Sequence, residues 1–264
     1  MVARFRALGA EQHRAFFSDP WAASGADEVA IADADRYIEV HPFSTLYMAL
    51  RTATFDDEVR RAIRDGITQI VILGAGLDTR AARLAASGVR FFEVDFAATQ
   101  NDKRARLAQI AGYPVDAASY VSCDFEREDF LDRLALAGHR ASEPSLVIWE
   151  GVVYYLTEAA VRATCTRIAR GCHPATRLAL DILGKRFARG EMRDPDDQRA
   201  HELVSEMGEP IRFGIDDPLP LLYECGFRSV DVRSFDEIAL RYTGSYQRER
   251  KMRFQHVVLT SVTP

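Results

Sequence analysis

Lysine is scarce in this chain: Lys103, Lys185 and Lys251 are the only three among 34 basic residues. Arginine carries almost all the positive charge, a bias of genomic base composition more than of function. Net charge is −5, so the basic excess that a nucleic-acid face needs is missing. The four cysteines, Cys123, Cys165, Cys172 and Cys225, contain no C-x-x-C pair. That removes the common zinc and redox motifs, and reduced thiols in a cytoplasmic protein are the simplest reading. No apolar run approaches the ~18 residues of a membrane span. Met1-Val2-Ala3-Arg4-Phe5-Arg6 leads into polar sequence without the apolar core of a signal peptide. A cytoplasmic protein is expected, with no metal, no membrane and no nucleic acid as partner. There is no internal repeat and no low-complexity segment.

One further absence is local. Val71-Ile72-Leu73-Gly74-Ala75-Gly76-Leu77-Asp78-Thr79-Arg80 reads as a buried strand, a glycine turn and a helix start. A dinucleotide fingerprint, G-x-G-x-x-G, would place a third glycine where Thr79 stands. The turn therefore suits a cofactor with an adenosine but no pyrophosphate, and S-adenosylmethionine (SAM) is the obvious one. Asp95, 19 residues after Gly76, closes the next strand at the position of a ribose-binding acid.

What is present is 264 residues with 47% hydrophobic content, enough for one large α/β domain. Residues 1–66 read as a helical cap, with apolar spacing from Ser44 to Asp65 and Gly66 to end the helix. Alternation then begins. Strands are expected at Gln69–Leu73, Arg90–Val94, Tyr120–Phe125, Leu146–Trp149 and Arg177–Leu183, separated by helices at Thr79–Ser87, Ala97–Ile110, Phe130–Leu136 and Glu158–Gly171. That rhythm means a parallel sheet covered by helices. Residues 185–215 are charged, contain Pro195 and Pro210, and read as a helical lid insert. A helix at Pro218–Cys225 follows. Arg228–Arg233 and His256–Ser261 then close the sheet as an antiparallel edge pair. The expectation is one Rossmann-like domain over 1–264, with seven strands, mostly parallel.

Ligands of an open parallel sheet bind beyond the carboxyl ends of its strands. The first four expected strands end in Gly74–Gly76, Asp95, Asp124-Phe125 and Glu150. Gly74 and Gly76 let the backbone turn and approach a ligand without a Cβ. Asp95 can accept from both ribose hydroxyls. Asp124 can accept from the adenine amino group while Phe125 offers the ring an apolar face. Glu150 sits where the sulfonium and amino acid part of SAM should lie. Asp78 reads as a helix N-cap.

These segments, with Glu150-Gly151-Val152-Val153-Tyr154-Tyr155-Leu156, resemble the leucine carboxyl methyltransferase family, which includes bacterial polyketide carboxyl O-methyltransferases. The resemblance runs from about Asp19 to the C-terminus and rests most on "GAGLDTR" and "EGVxYYL". It implies a class I methyltransferase fold with added N-terminal helices and a helical lid. It also implies that Arg51 pairs with the SAM carboxylate, that Gly74, Asp95, Asp124-Phe125 and Glu150 hold the cofactor, and that S-adenosylhomocysteine is the product. Family members that methylate a protein C-terminus carry a lysine before the Asp-Pro pair, and here Ser18 stands there. A small-molecule acceptor is favoured by that departure.

A carboxylate acceptor is ionised at neutral pH and needs no base; a hydroxyl would need one. Of the six histidines, none sits in a motif that marks a base, and His201 in the insert is the best placed. His139 and His256 read as structural. Tyr154 is the residue expected to face the acceptor, with Tyr155 packed under the next helix. Arg80 and Arg241 could attract an anionic acceptor. The leading reading is a SAM-dependent O-methyltransferase of a small molecule, a carboxylate ahead of a hydroxyl, in secondary metabolism. The alternative is a SAM-binding protein that does not transfer methyl groups. A nicotinamide-dependent reductase is disfavoured by Thr79 and by the lack of a Tyr-x-x-x-Lys pair.

Overall fold

The computed structural model describes residues 1–125, 127–208, 210–245 and 254–263. Seven strands form one sheet: β1 (Gln69–Leu73), β2 (Arg90–Asp95), β3 (Ala118–Ser122), β4 (Leu146–Trp149), β5 (Arg177–Leu183), β6 (Ser229–Ser234) and β7 (Gln255–Ser261). Their order is β3-β2-β1-β4-β5-β7-β6. Strands β1 to β5 pair in parallel, and β7 runs antiparallel to both β5 and β6. The order reverses between β1 and β4. A crevice forms at such a switch point, outside the carboxyl ends of the strands.

Apolar residues decide which segments sit centrally. All of β1 is buried, and so is all of β4, as parallel strands covered on both faces require. One face packs on α6 (Phe130–Leu136), α7 (Glu158–Gly171) and α10 (Leu219–Cys225), through Leu134, Ile168 and Leu222. The other packs on α3 (Ser44–Arg64) and α11 (Phe235–Thr243), through Phe55, Val59 and Ile238. Each such buried side chain contributes about 1.5–3 kcal/mol. Before α3 come α1 (Val2–Gln12), a 3-10 turn at Ala22–Gly25 and α2 (Glu28–Val40), which the Asp27 side chain caps by accepting from Ala30 N–H at 2.8 Å.

The expected architecture is present, with four local differences. First, β3 ends at Ser122, because its pairing with β2 runs from Phe91–Ala118 to Asp95–Ser122 and stops level with Asp95. Asp124 therefore lies two residues beyond the strand, in a loop. Second, the helix after the glycine turn, α4, is only Arg80–Arg83. Third, α11 lies between the two closing strands, where no helix was expected. Its signals are local: a Ser234–Glu237 capping box and Gly244 in the left-handed region at φ 74°. Fourth, the described residues of the segment 185–215 form two helices, α8 (Lys185–Ala188) and α9 (Pro195–Glu206), and α9 packs on α2. The remaining helix, α5 (Ala97–Leu107), follows β2.

Candidate active site

A cavity of about 370 Å3 opens where β1 and β4 end, lined by Gly74, Gly76, Asp78, Glu150, Arg51 and the first turns of α1. Its size falls in the range of small-molecule sites, roughly 300–1,000 Å3. The glycine turn forms its floor. Gly74 has φ +64°, and a Cβ there would collide with the Val152 side chain. That collision explains why "GAGLDTR" and "EGVVYYL" occur together: one segment rests on the other. Gly76 has φ +45°, and a Cβ there would meet nothing within 4 Å. Its backbone faces open space that a ligand can fill. The Asp95 carboxylate stiffens the turn from beneath, accepting from Gly76 N–H at 2.6 Å and from Phe96 N–H at 2.7 Å. A carboxylate oxygen has two lone-pair sites, so both oxygens keep capacity for ribose hydroxyls.

Glu150 lies between two buried arginines. Arg51 Nε donates to Oε1 at 2.8 Å, and Arg80 Nη1 stands 2.7 Å from Oε2 as an ion pair without hydrogen-bond alignment. Arg51 is 3% exposed. Its Nη1 also donates to Asp181 Oδ2 at 3.2 Å and to Tyr47 Oη at 3.2 Å. Among the described residues Nη2 donates only to a thioether, Met48 Sδ at 3.5 Å, and thus keeps a donor for an anion in the cavity. Asp181 accepts from Gly151 N–H at 2.7 Å. Burial pushes the Asp181 carboxyl up to about 6, against the opposing pull of Arg51. Burial, and then the Asp181 carboxylate, push the Tyr154 phenol well above its ordinary value.

The N-terminal segment roofs this cavity through a second charge cluster. Thr79 Oγ1 donates to Asp19 Oδ2 at 2.6 Å, Arg6 Nε stands 2.8 Å from the same oxygen, and Arg6 also donates to the Leu77 carbonyl. Arg80 and Arg83 both pair with Asp56 on α3, and Arg80 pairs with Asp78 as well. Asp78 also accepts from Arg80 N–H at 2.6 Å, the capping role expected of it one residue early. Arg80, Arg6 and Lys103 hold Asp78 well below the usual carboxylate range despite its burial.

A family model for leucine carboxyl methyltransferases matches residues 1–169. The chain belongs to the leucine carboxyl methyltransferase family. A protein of Streptomyces coelicolor, whose name places it provisionally among the S-adenosyl-L-methionine-dependent methyltransferases, is 35% identical over 201 residues, spanning 72% of this chain and 71% of that one. Among solved structures, a DUF574 family protein from Streptomyces avermitilis superposes with a TM-score of 0.71 at 15% identity, covering 99% of this chain and 97% of that one. The glycopeptide N-methyltransferase MtfA, solved with SAM, has a TM-score of 0.50 at 14% identity, covering 79% and 87%. At those identities the structures show the shared fold alone.

In this member of the family, a second, smaller cavity adjoins the first. It measures about 70 Å3, and the two share Met1, Val2, Arg51 and Tyr155 as walls. Ser44, Tyr47, Met48 and Arg51 recur at i, i+3, i+4 and i+7, so one stripe of α3 forms one wall. Phe187 on α8 and Val204 on α9 form another.

Of the residues singled out from sequence, Arg51, Gly74, Gly76 and Glu150 line the larger cavity and Tyr154 the smaller. Asp95 stands behind Gly76. Asp124 and Phe125 lie apart. Asp124 pairs with Arg127 at 3.6 Å, and Phe125 lines a separate hollow against Phe130. The shorter β3 is the reason, since the loop carries both past the edge. Tyr155 lines both cavities instead of packing under α7, and its ring meets Tyr154 edge-on at 4.7 Å. Arg80 is 2% exposed and fully engaged by carboxylates, and Arg241 is exposed on α11; neither offers charge to an acceptor. His201 lines neither cavity and packs on Phe187. His139 is buried against Ser145 at 2.9 Å, and its burial lowers it to about 4.

Asp19, Asp56, Asp181 and Tyr47 escaped the sequence reading. Asp181 left a signal: it is a lone acid inside the buried run Leu178–Leu183, where an unpaired charge would be costly. Asp19 and Asp56 left none, because their partners are distant in sequence.

Proposed function

We propose that the protein transfers the methyl group of SAM to a carboxylate oxygen of a small molecule and releases S-adenosylhomocysteine. The transferase class and the cofactor accord with family membership; the carboxylate is supported by the site. The carrying observation is the pair of joined cavities: no histidine is among the described residues that line either of them. An acceptor that is already ionised at neutral pH needs no base there. Secondary metabolites such as polyketide acids are the acceptor class that the family resemblance suggests, and a cytoplasmic location fits them.

SAM supplies a methyl group on a sulfonium, an excellent leaving group. The protein's contribution is placement and exclusion of water. Gly74 and Gly76 give the nucleoside a backbone floor, and Asp95 accepts from the ribose. Arg51 Nη2 meets the carboxylate of the methionine part, while Glu150, held by Arg51 and Arg80, balances the positive charge nearby. The resemblance assigns Asp124 and Phe125 to the adenine end, although neither lines the larger cavity. Tyr154 and Tyr155 border the acceptor, and the 185–215 insert serves as its lid. In the reaction the carboxylate oxygen forms the new bond to the methyl carbon as the carbon–sulfur bond breaks and its electrons pass to sulfur.

The test is a panel of small carboxylic acids and matched phenols incubated with SAM, followed by mass spectrometry of product and of S-adenosylhomocysteine. Base-labile methyl esters are expected from acids. Methylation of phenols alone would overturn the carboxylate reading.

A further inference from the structure

The smaller cavity holds two polar atoms with no partner among the described residues. Ser44 Oγ, on a residue 2% exposed at the start of α3, has none. Gln255 Oε1, on a residue 9% exposed at the start of β7, has none either. Both residues line that cavity, among Phe5, Leu183, Phe187 and Ile211. Leaving a buried polar atom unsatisfied is costly, about 1–3 kcal/mol each, so such atoms in an apolar cavity point to a ligand that satisfies them. The topology puts Gln255 there: β7 runs antiparallel to β5, so its first residue pairs with Leu183, the last residue of β5, at the carboxyl edge of the sheet.

We propose that Ser44 and Gln255 select an acceptor that carries a hydroxyl on an otherwise apolar body. The proposal rests on the reading of this cavity as the acceptor site. A hydroxyl gives its proton to an amide oxygen and can accept one from a serine. Neither residue touches the cofactor cavity, so both act on choice of acceptor rather than on the methyl donor. The volume narrows the class. The cavity, at about 70 Å3, is under half the roughly 150 Å3 of a cavity that holds benzene. A short aliphatic hydroxy acid is the fitting occupant, its carboxylate toward the wall shared with the larger cavity and its hydroxyl toward Ser44 and Gln255.

The experiment is calorimetry on the full chain saturated with S-adenosylhomocysteine. The probes are butyrate and pentanoate against 3-hydroxybutyrate, 4-hydroxybutyrate and 5-hydroxypentanoate. At least one hydroxy acid is expected to bind roughly tenfold more tightly than its parent acid, the worth of one satisfied hydrogen bond. Gln255→Leu and Ser44→Ala are each expected to shrink that preference severalfold, with S-adenosylhomocysteine affinity unchanged as the sign of an intact fold. Equal affinities in the natural protein, no binding of any probe, or a preference that survives both substitutions would overturn the proposal. An acid that binds in this way yet yields no S-adenosylhomocysteine from SAM would overturn the methyl-transfer reading and leave the cavity's preference for a hydroxyl standing.

Discussion

Arg51 Nε donates to Glu150 Oε1 at 2.8 Å across 99 residues of sequence. The contact ties α3 to the end of β4, at the wall between the two cavities. Removing one member of a buried pair leaves the other charged and unpaired, a loss of about 3–5 kcal/mol. Glu150→Ala takes one carboxylate from each of two arginines, and Asp181, Asp56 and Asp78 keep both paired, so its loss lies at or below the lower end of that range. Its chemical denaturation midpoint is expected to fall accordingly, and a midpoint within error of the natural protein would show that the pair is not formed.

Gly74 answers to sterics on two counts, its φ of +64° and the Val152 side chain against it. Gly74→Ala is expected to cost about 2–4 kcal/mol, from backbone strain and overpacking together. Adding Val152→Ala should restore the overpacking part and not the strain. Thermal unfolding of the single and double variants checks this; full recovery in the double variant would mean that the positive φ costs nothing.

Asp19 joins the roof to the glycine turn, through Thr79 at 2.6 Å and Arg6 at 2.8 Å. Asp19→Ala is expected to loosen α1 and the 3-10 turn without unfolding the sheet. Hydrogen exchange should rise within residues 1–27 and stay low in β1 and β4. SAM affinity should fall at least tenfold, since α1 lines the cavity. Unchanged exchange in the N-terminal segment would show that the cluster does not hold the roof.

Asp181 carries a pH signature. Burial raises its folded carboxyl to about 6, above the ordinary 3.8. The folded state therefore keeps the proton after the unfolded chain has lost it. That contribution to stability is whole below about pH 4 and is lost as pH rises through 6, a change of about 3 kcal/mol. Asp181→Asn cannot titrate. Relative to Asp181→Asn, the natural protein should lose stability between pH 4 and 6 and then level off. Parallel curves for the two proteins would contradict this.

The sheet was legible in the sequence because apolar runs bounded by Gly or acids are local signals; β1, β4 and β5 fall where expected, residue for residue. The site was legible where a motif and a strand end coincide, at Gly74, Gly76, Asp95 and Glu150. It was obscure where placement depends on pairing across the chain. Asp124 was read at a strand end because Tyr120–Phe125 is apolar enough to be one, but register with β2 sets the end at Ser122. Arg80 read as a charge that could attract an anionic acceptor, yet three carboxylates from three separate segments surround it. Asp181 meets Arg51 only after folding, 130 residues away in sequence. The helix α11 was overlooked although its capping box is in plain view, since a nine-residue helix between two strands gives few turns of periodicity.

The central claim is that the cavity between the glycine turn, Glu150 and α1 holds SAM. Calorimetric titration of SAM into the natural protein, Asp95→Ala and Glu150→Ala tests it most directly. One site per chain is expected in the natural protein, with affinity weakened at least tenfold in each variant, the worth of one charge-assisted hydrogen bond. Wild-type affinity in both folded variants would contradict it.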